Sequence, residues 1–311
     1  MTQARDAAIL ALAHRPFRAL RLDWNPTTSS LRIGFRVHPI QCFSLALLNE
    51  MKLVFECLSH HRGLVRYVVL ASDVPRVFNF GGDLALFALL VRSRDLESLK
   101  MYGNLCIDLL WWIETADECG IMTIGLVQGD CLGGGFESVL PTHRIIAERS
   151  VQAGFPEILF NLYPGMGAWN MVFRKAGHLV ANEMILSGKL YSADDLHAKG
   201  LFDLVVDDHE GETALEQTIR AIEPHFRGTL HALRARRMAM PISRDSLLQI
   251  VDHWAESAMQ LTDRDLRLME RLARAQIRKV GGADAGAVEE IKRIELEQAK
   301  LLFDAPLAAT A

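Results

Sequence analysis

Two carboxylates and two glycine turns carry most of the chemistry that can be read from this chain. Glu137 ends the run DCLGGGFE and has Phe136, Val139 and Leu140 as neighbours. Glu157 follows Gly154-Phe155-Pro156 and precedes Ile158-Leu159-Phe160. Apolar surroundings disfavour the charged form of an acid, so its pKa rises, and two such groups can divide the acid and base roles. Taken singly, either acid also fits a charge complementing a helix N-terminus. The turns Gly81-Gly82 and Gly133-Gly134-Gly135 each lead into an apolar helical run. Glycine there lets backbone N–H groups approach a ligand where the helix dipole favours an anion. Two such turns aimed at one point form an oxyanion hole for an enolate or a tetrahedral intermediate. One alone serves equally well as a tight turn.

Composition narrows the setting for this chemistry. With 311 residues, half of them hydrophobic and 23% charged, the chain suits one large globular domain, or a core with a helical appendage. A net charge of −4 speaks against a general nucleic-acid binder. The five cysteines form no C-x-x-C pair and the eleven histidines show no H-x-x-x-H spacing, so neither a metal site nor a cofactor is expected. The apolar run from Ala7 to Ala13 is too short and poorly flanked for a signal peptide. No apolar stretch reaches membrane-spanning length, and a cytoplasmic location is expected.

The elements that must position the acids and turns follow from periodicity. Residues 21–37 read as a hairpin, Ser44 caps a helix over 45–59, and 66–71 is a short buried strand. Leu99 to Thr115 reads as a helix, with further strands at 121–128, 144–147 and 201–206. Such alternation predicts an α/β core with mostly parallel strands. From about Thr213 the strand signals stop and helices are expected over 213–237, 245–279 and 286–303. This divides the chain into a core, 1–212, with a short N-terminal helical extension, and a C-terminal helical region, 213–311. In that region Leu247, Leu248, Val251, Leu261, Leu268 and Leu272 exceed what one helix face needs for a core, which predicts a contact between subunits. Arg227, Arg234, Arg236 and Arg237 form either a solvated face or a dock for an acidic carrier protein. Asp83 is expected to fix its turn by accepting backbone N–H bonds.

The ordered motifs FNFGGDL (78–84), VQGDCLGGGFE (127–137), FPE (155–157), YPGMGA (163–168) and LSGKLYSADDLHAKGLFDLVV (186–206) resemble the crotonase, or enoyl-CoA hydratase/isomerase, superfamily. The resemblance implies a β-β-α spiral with two roughly perpendicular sheets, a C-terminal helical oligomerisation region and a homotrimer or hexamer. It assigns the oxyanion N–H groups to Gly82 and Gly134 and the acid–base pair to Glu137 and Glu157. Keeping both acids favours hydration or dehydration chemistry. NFGGDLALFALL, LVQGDCLGGGFE and LFNLYPGMGAW are in turn similar to the diffusible-signal-factor synthases of bacterial quorum sensing. Those enzymes dehydrate a 3-hydroxyacyl chain on acyl carrier protein, then hydrolyse the thioester to release a cis-2-unsaturated fatty acid. CoA hydratases often carry a lysine just after this turn, whereas here Asp83 is followed by an apolar run. Leu84, Leu86, Phe87 and Leu90 are therefore expected to enclose an acyl chain, with Leu132 and Trp254 beside them. Trp254 fits a core aromatic equally well. A sensor-kinase receiver domain is a further partner implied by this resemblance. The alternatives are a conventional enoyl-CoA hydratase of fatty-acid degradation and a binding partner of a signalling protein. Carrier protein or CoA as thioester donor stays open, as does the division of roles between the two glutamates.

Overall fold

The computed structural model describes residues 9–280, 292–294 and 296–297. In chain order the strands are β1 Leu20–Asn25, β2 Ser30–Phe35, β3 Tyr67–Ser72, β4 Arg76–Asn79, β5 Met122–Val127, β6 Gly129–Leu132, β7 Arg144–Glu148, β8 Gln152–Gly154, β9 Leu190–Ser192 and β10 Leu204–Val206. They form a six-stranded sheet ordered β1-β2-β3-β5-β7-β10 and a four-stranded sheet ordered β4-β6-β8-β9. In the larger sheet only the β1–β2 hairpin is antiparallel. Every residue of β5 is buried, as expected for a parallel strand covered on both faces.

A single device repeats. β3, β5 and β7 each leave the larger sheet through a short connection and re-enter as β4, β6 and β8 in the smaller one. This is the expected β-β-α spiral. None of β4, β6, β8 and β9 was predicted from periodicity. At three or four residues each, they are too short to show alternation.

The helices are α1 Leu45–His60, α2 Leu84–Arg92, α3 Leu96–Thr115, α4 Gly134–Val139, α5 Ala168–Ser187, α6 Ala193–Ala198, α7 Gly211–Ile222, α8 Phe226–Ala239, α9 Arg244–Ala258 and α10 Asp263–Lys279. Ser44 caps α1 as expected, accepting from Leu47 N–H, while Asp95 caps α3 and starts it before the predicted Leu99. The expected helix over 213–237 breaks at a 3₁₀ turn, Glu223–His225, that contains Pro224. The one expected over 245–279 breaks at Thr262, whose hydroxyl and Asp265 form a capping box that opens α10. Of the helix expected over 286–303, residues 292–294 and 296–297 are helical and the rest lie outside the described residues.

The late apolar positions turn inward. Leu247 and Val251 are buried, and Leu248, Leu261, Leu268 and Leu272 pack partly buried against the same hydrophobic core as the spiral. They close the chain's own core, so their number alone is no sign of a subunit contact. α9 lies so close along α3 that a Cβ on Gly103 would meet Val251 Cγ1 at 2.4 Å.

Candidate active site

β4, β6 and β8 are hydrogen-bonded neighbours, so the segments that follow them emerge side by side. Those segments are Gly81-Gly82, Gly133-Gly134-Gly135 and Pro156-Glu157. The smaller sheet thus gathers both glycine turns and the second acid.

Gly81 and Gly133 have φ of +91° and +51°, a region that side chains with a Cβ rarely adopt. The Gly81 N–H donates to Asn79 Oδ1 at 2.7 Å. A Cβ on Gly81 would lie 2.7 Å from the Gly134 nitrogen, and one on Gly134 would lie 3.3 Å from the Gly82 nitrogen. The Gly82 and Gly134 amides therefore sit beside one another. Among the described residues neither donates to a protein acceptor. Gly134 is the first residue of α4, where an N–H has no partner within the helix. Two unspent donors at one point match an oxyanion hole.

Glu137 projects from the first turn of α4 and is only 1% exposed. Its Oε1 accepts from the backbone N–H of Met166 at 2.7 Å and of Ala168, the first residue of α5, at 2.9 Å. Burial raises its pKa well above the usual carboxylate range, and the nearby Glu157 raises it further; the two N–H bonds pull it back without overcoming this. Glu157 sits in a 3₁₀ turn, Pro156–Phe160, with its carboxylate against Gly133, where a Cβ would lie 2.3 Å from Oε1. Among the described residues Glu157 Oε2 is out of solvent and has no hydrogen-bond partner. Burial lifts the Glu157 pKa to about 7. The charge of Glu157 disfavours that of Glu137, so ionising the one favours keeping the proton on the other.

Glu137, Glu157, Gly82 and Gly134 all line a cavity of about 420 Å³. Leu84, Phe87, Leu132 and Trp254 line it too. Trp254 is 6% exposed, packs edge-on against Phe87 with ring centroids 5.0 Å apart, and lies over Gly165. Leu86 and Leu90 do not line the cavity. They lie one turn apart on α2 and are fully buried in the core. The sequence reading missed Met166, which precedes α5, and Leu272, Gln276 and Lys279 of α10, which complete the wall. No local signal marks the α10 residues, which follow Glu157 by more than a hundred positions. Lys279 forms an ion pair with Asp130 of β6 on that wall. Leu159 and Leu190, exposed by 58% and 44%, also line the cavity.

Asp83 accepts from Leu86 N–H at 3.1 Å and so fixes its turn as expected. Arg234 and Arg237 of the basic cluster both reach the fully buried side chain of Asp117, and Arg237 also bonds Glu118. Part of that cluster therefore holds α8 in place. Among the described residues no group of three metal-ligating side chains occurs, and no helix is long and apolar enough to cross a membrane.

Comparison with known proteins points the same way. Residues 33–250 match the sequence model of the enoyl-CoA hydratase/isomerase family. The fatty acid oxidation complex subunit alpha of Pseudomonas savastanoi is 28% identical over 197 residues, 63% of this chain and 26% of that protein. The Vibrio cholerae subunit of the same name is 28% identical over 163 residues, 52% of this chain and 22% of its own length. The chain thus spans only about a quarter of these relatives. Among solved structures, human mitochondrial delta3-delta2-enoyl-CoA isomerase superposes with a TM-score of 0.70 at 17% identity, covering 85% of this chain and 100% of that one. Bacillus anthracis enoyl-CoA hydratase gives 0.65 at 22% identity, covering 79% and 93%. Pseudomonas aeruginosa DspI gives 0.62 at 20% identity, covering 74% and 84%. At these identities the superpositions speak for the fold alone.

Proposed function

Given that the chain belongs to the enoyl-CoA hydratase/isomerase family, we propose that it dehydrates a 3-hydroxyacyl thioester and hydrolyses the product to a free cis-2-unsaturated fatty acid. One observation carries this reading. Two buried carboxyls with raised pKa values and two unspent backbone donors face one cavity. In the first step the thioester oxygen accepts from the Gly82 and Gly134 N–H groups. The ionised glutamate of the pair removes a C2 proton, and the enolate charge collects on that oxygen. The protonated glutamate then gives its proton to the C3 hydroxyl, which leaves as water as the C2–C3 double bond forms. The pair ends with its single proton on the opposite partner. In the second step a carboxylate takes a proton from water as its oxygen adds to the carbonyl. The same N–H groups hold the tetrahedral oxyanion, and the thiol leaves carrying the proton. The orphaned Glu157 Oε2 suits it to bind the substrate hydroxyl or the attacking water.

The apolar wall supports a medium or long acyl chain. Acyl carrier protein is the proposed donor, by the similarity of the 79–90 run to the signal synthases. Incubation with 3-hydroxyacyl carrier protein or 3-hydroxyacyl-CoA, followed by mass spectrometry, tests the reading. Free cis-2 acid supports it. Trans-2-enoyl-CoA in equilibrium with hydroxyacyl-CoA would instead establish a conventional hydratase, the second reading, which the fatty acid oxidation relatives favour.

Assembly into a trimer or hexamer belongs to the same proposal. The exposed Phe173, Leu179 and Leu186 of α5 suit a subunit contact better than the late helices do. Light scattering at micromolar concentration checks it, and a stable monomer would refute it. A receiver domain of a sensor kinase remains a proposed partner, to be tested by co-purification.

A further inference from the structure

A lysine is seldom fully buried, and when it is, it needs a partner. Lys292 has a side chain only 1% exposed, with Nζ 2.7 Å from Oδ2 of Asp83, whose side chain is fully buried. Asp83 directly follows Gly82. Its Oδ1 caps α2 through Leu86 N–H. Its own N–H donates to the Tyr102 hydroxyl at 3.3 Å, and that hydroxyl donates to the Phe43 carbonyl at 2.6 Å. Phe43 N–H in turn donates to the Gly81 carbonyl at 2.8 Å. On the other side the Phe87 ring of α2 packs against Gly82, where a Cβ would lie 2.6 Å from the ring. Beside the Asn79 and Phe43 bonds to Gly81, the Gly82 side of the turn is thus framed by contacts that pass through Asp83 or through the helix it caps. The charge of Asp83 is matched by a lysine from beyond α10.

We infer that Lys292 is a positioning residue for the oxyanion turn: its ion pair with Asp83 holds the Gly82 N–H in line with that of Gly134. Among the described residues that line the cavity, Lys292 is absent. Its effect is indirect. Without it Asp83 is a buried charge lacking its partner, and the turn must shift to bring that carboxylate to water or to another donor. Displacements of about 1 Å at a reacting centre can cost about 10²-fold in rate. The inference rests on the reading of Gly82 as a donor to the thioester carbonyl. It also ties catalysis to the seating of a segment far from the reacting atoms.

The experiment compares the full-length wild type, Lys292→Met and the double variant Asp83→Asn/Lys292→Met. The double variant removes both charges and keeps a capping side chain. Two quantities are read: steady-state turnover of a 3-hydroxyacyl thioester, and hydrogen exchange of the amides over residues 80–87. In Lys292→Met, kcat should fall about 10-fold or more with KM within about twofold, because the lost interaction matters mainly in the transition state. The exchange of those amides should quicken. In the double variant both quantities should return to within about threefold of wild type, because no unpaired buried charge remains. Wild-type kcat or unchanged exchange in Lys292→Met overturns the inference, and so does a double variant as impaired as the single. If Lys292→Met does not fold, the double variant decides alone: recovery supports the clamp, and failure to fold or turn over refutes it. A wild type that processes no thioester removes the functional reading, while the exchange data still decide whether the clamp exists.

Discussion

The floor and the wall of the cavity are built on opposite principles. The floor is Gly82, Gly134, Glu137 and Glu157, delivered by the ends of three adjacent short strands and fixed by backbone conformation and hydrogen bonds to main-chain N–H groups. The wall is Phe87, Leu162, Met166, Trp254 and Leu272, drawn from segments up to 185 positions apart, and the side chains it presents to the cavity act through apolar packing. Polar groups act through direction and charge, so a small displacement removes their effect. Apolar groups act through area and volume, so loss is graded. Damage to the floor should therefore be close to all-or-none, and damage to the wall should change selectivity.

The sharpest break falls on the acids. Glu137→Gln and Glu157→Gln should each lower kcat/KM by at least about 10²–10⁴-fold while the circular dichroism spectrum stays native. Near-wild-type turnover in either folded variant would remove the two-carboxyl mechanism. Next comes the oxyanion turn. In Gly134→Val the new side chain projects over the Gly82 nitrogen and toward Met166 Sδ, 2.9 Å from the Cβ position. Losing one donor of this kind costs on the order of 10²–10³-fold in kcat. A fully active, folded Gly134→Val protein would place the carbonyl elsewhere.

The same floor should weaken the fold at neutral pH, and the sign follows from the carboxyl pKa. Glu157 moves from the ordinary 4.5 to about 7 on folding. Below pH 4.5 both states hold the proton and burial exacts no ionisation cost. Between pH 4.5 and 7 the unfolded chain ionises first, so folding stability falls as pH rises, and above 7 the deficit is constant. Glu157→Gln lacks this term. Its stability gain over wild type should grow across that window to about 3 kcal/mol, measured by denaturant unfolding at a series of pH values. A gain that shrinks with rising pH would contradict the assigned direction.

The wall gives the smallest effect. Each buried CH₂ contributes about 0.8 kcal/mol, so a wall that fits a long chain should raise kcat/KM steadily from four to about ten carbons. Trp254→Ala opens that wall and should erode the preference for long chains by about tenfold, leaving short substrates less affected. A flat chain-length profile in the wild type would mean that the cavity does not hold the acyl chain.

Legibility in the sequence followed the same division. Glu137, Glu157 and both glycine turns stood out because a lone acid among apolar neighbours, or a cluster of glycines, is anomalous over a few residues. Leu84 and Phe87 were found with Leu86 and Leu90 because an apolar run does not say which side of a nine-residue helix faces a cavity. Met166, Leu272 and Lys279 were not assigned to the cavity, and Leu272 was read as a subunit contact, since an apolar side chain in a wall and one in a core or interface look alike. The strands that carry the turns were too short to register a period, although their ends set the geometry of the site.

By itself the sequence determined the kinds of chemical group available and the alternation of strand and helix. Both are properties of short windows, fixed by φ/ψ preference, periodicity and the desolvation of single charges. Only the tertiary structure decided that three turns meet at one point, that α9 and α10 close the cavity, and that Lys292 reaches Asp83. These contacts join residues that are remote along the chain. What selects them is burial of a shared apolar interior and pairing of the charges trapped inside it, and neither leaves a mark on the local order of residues.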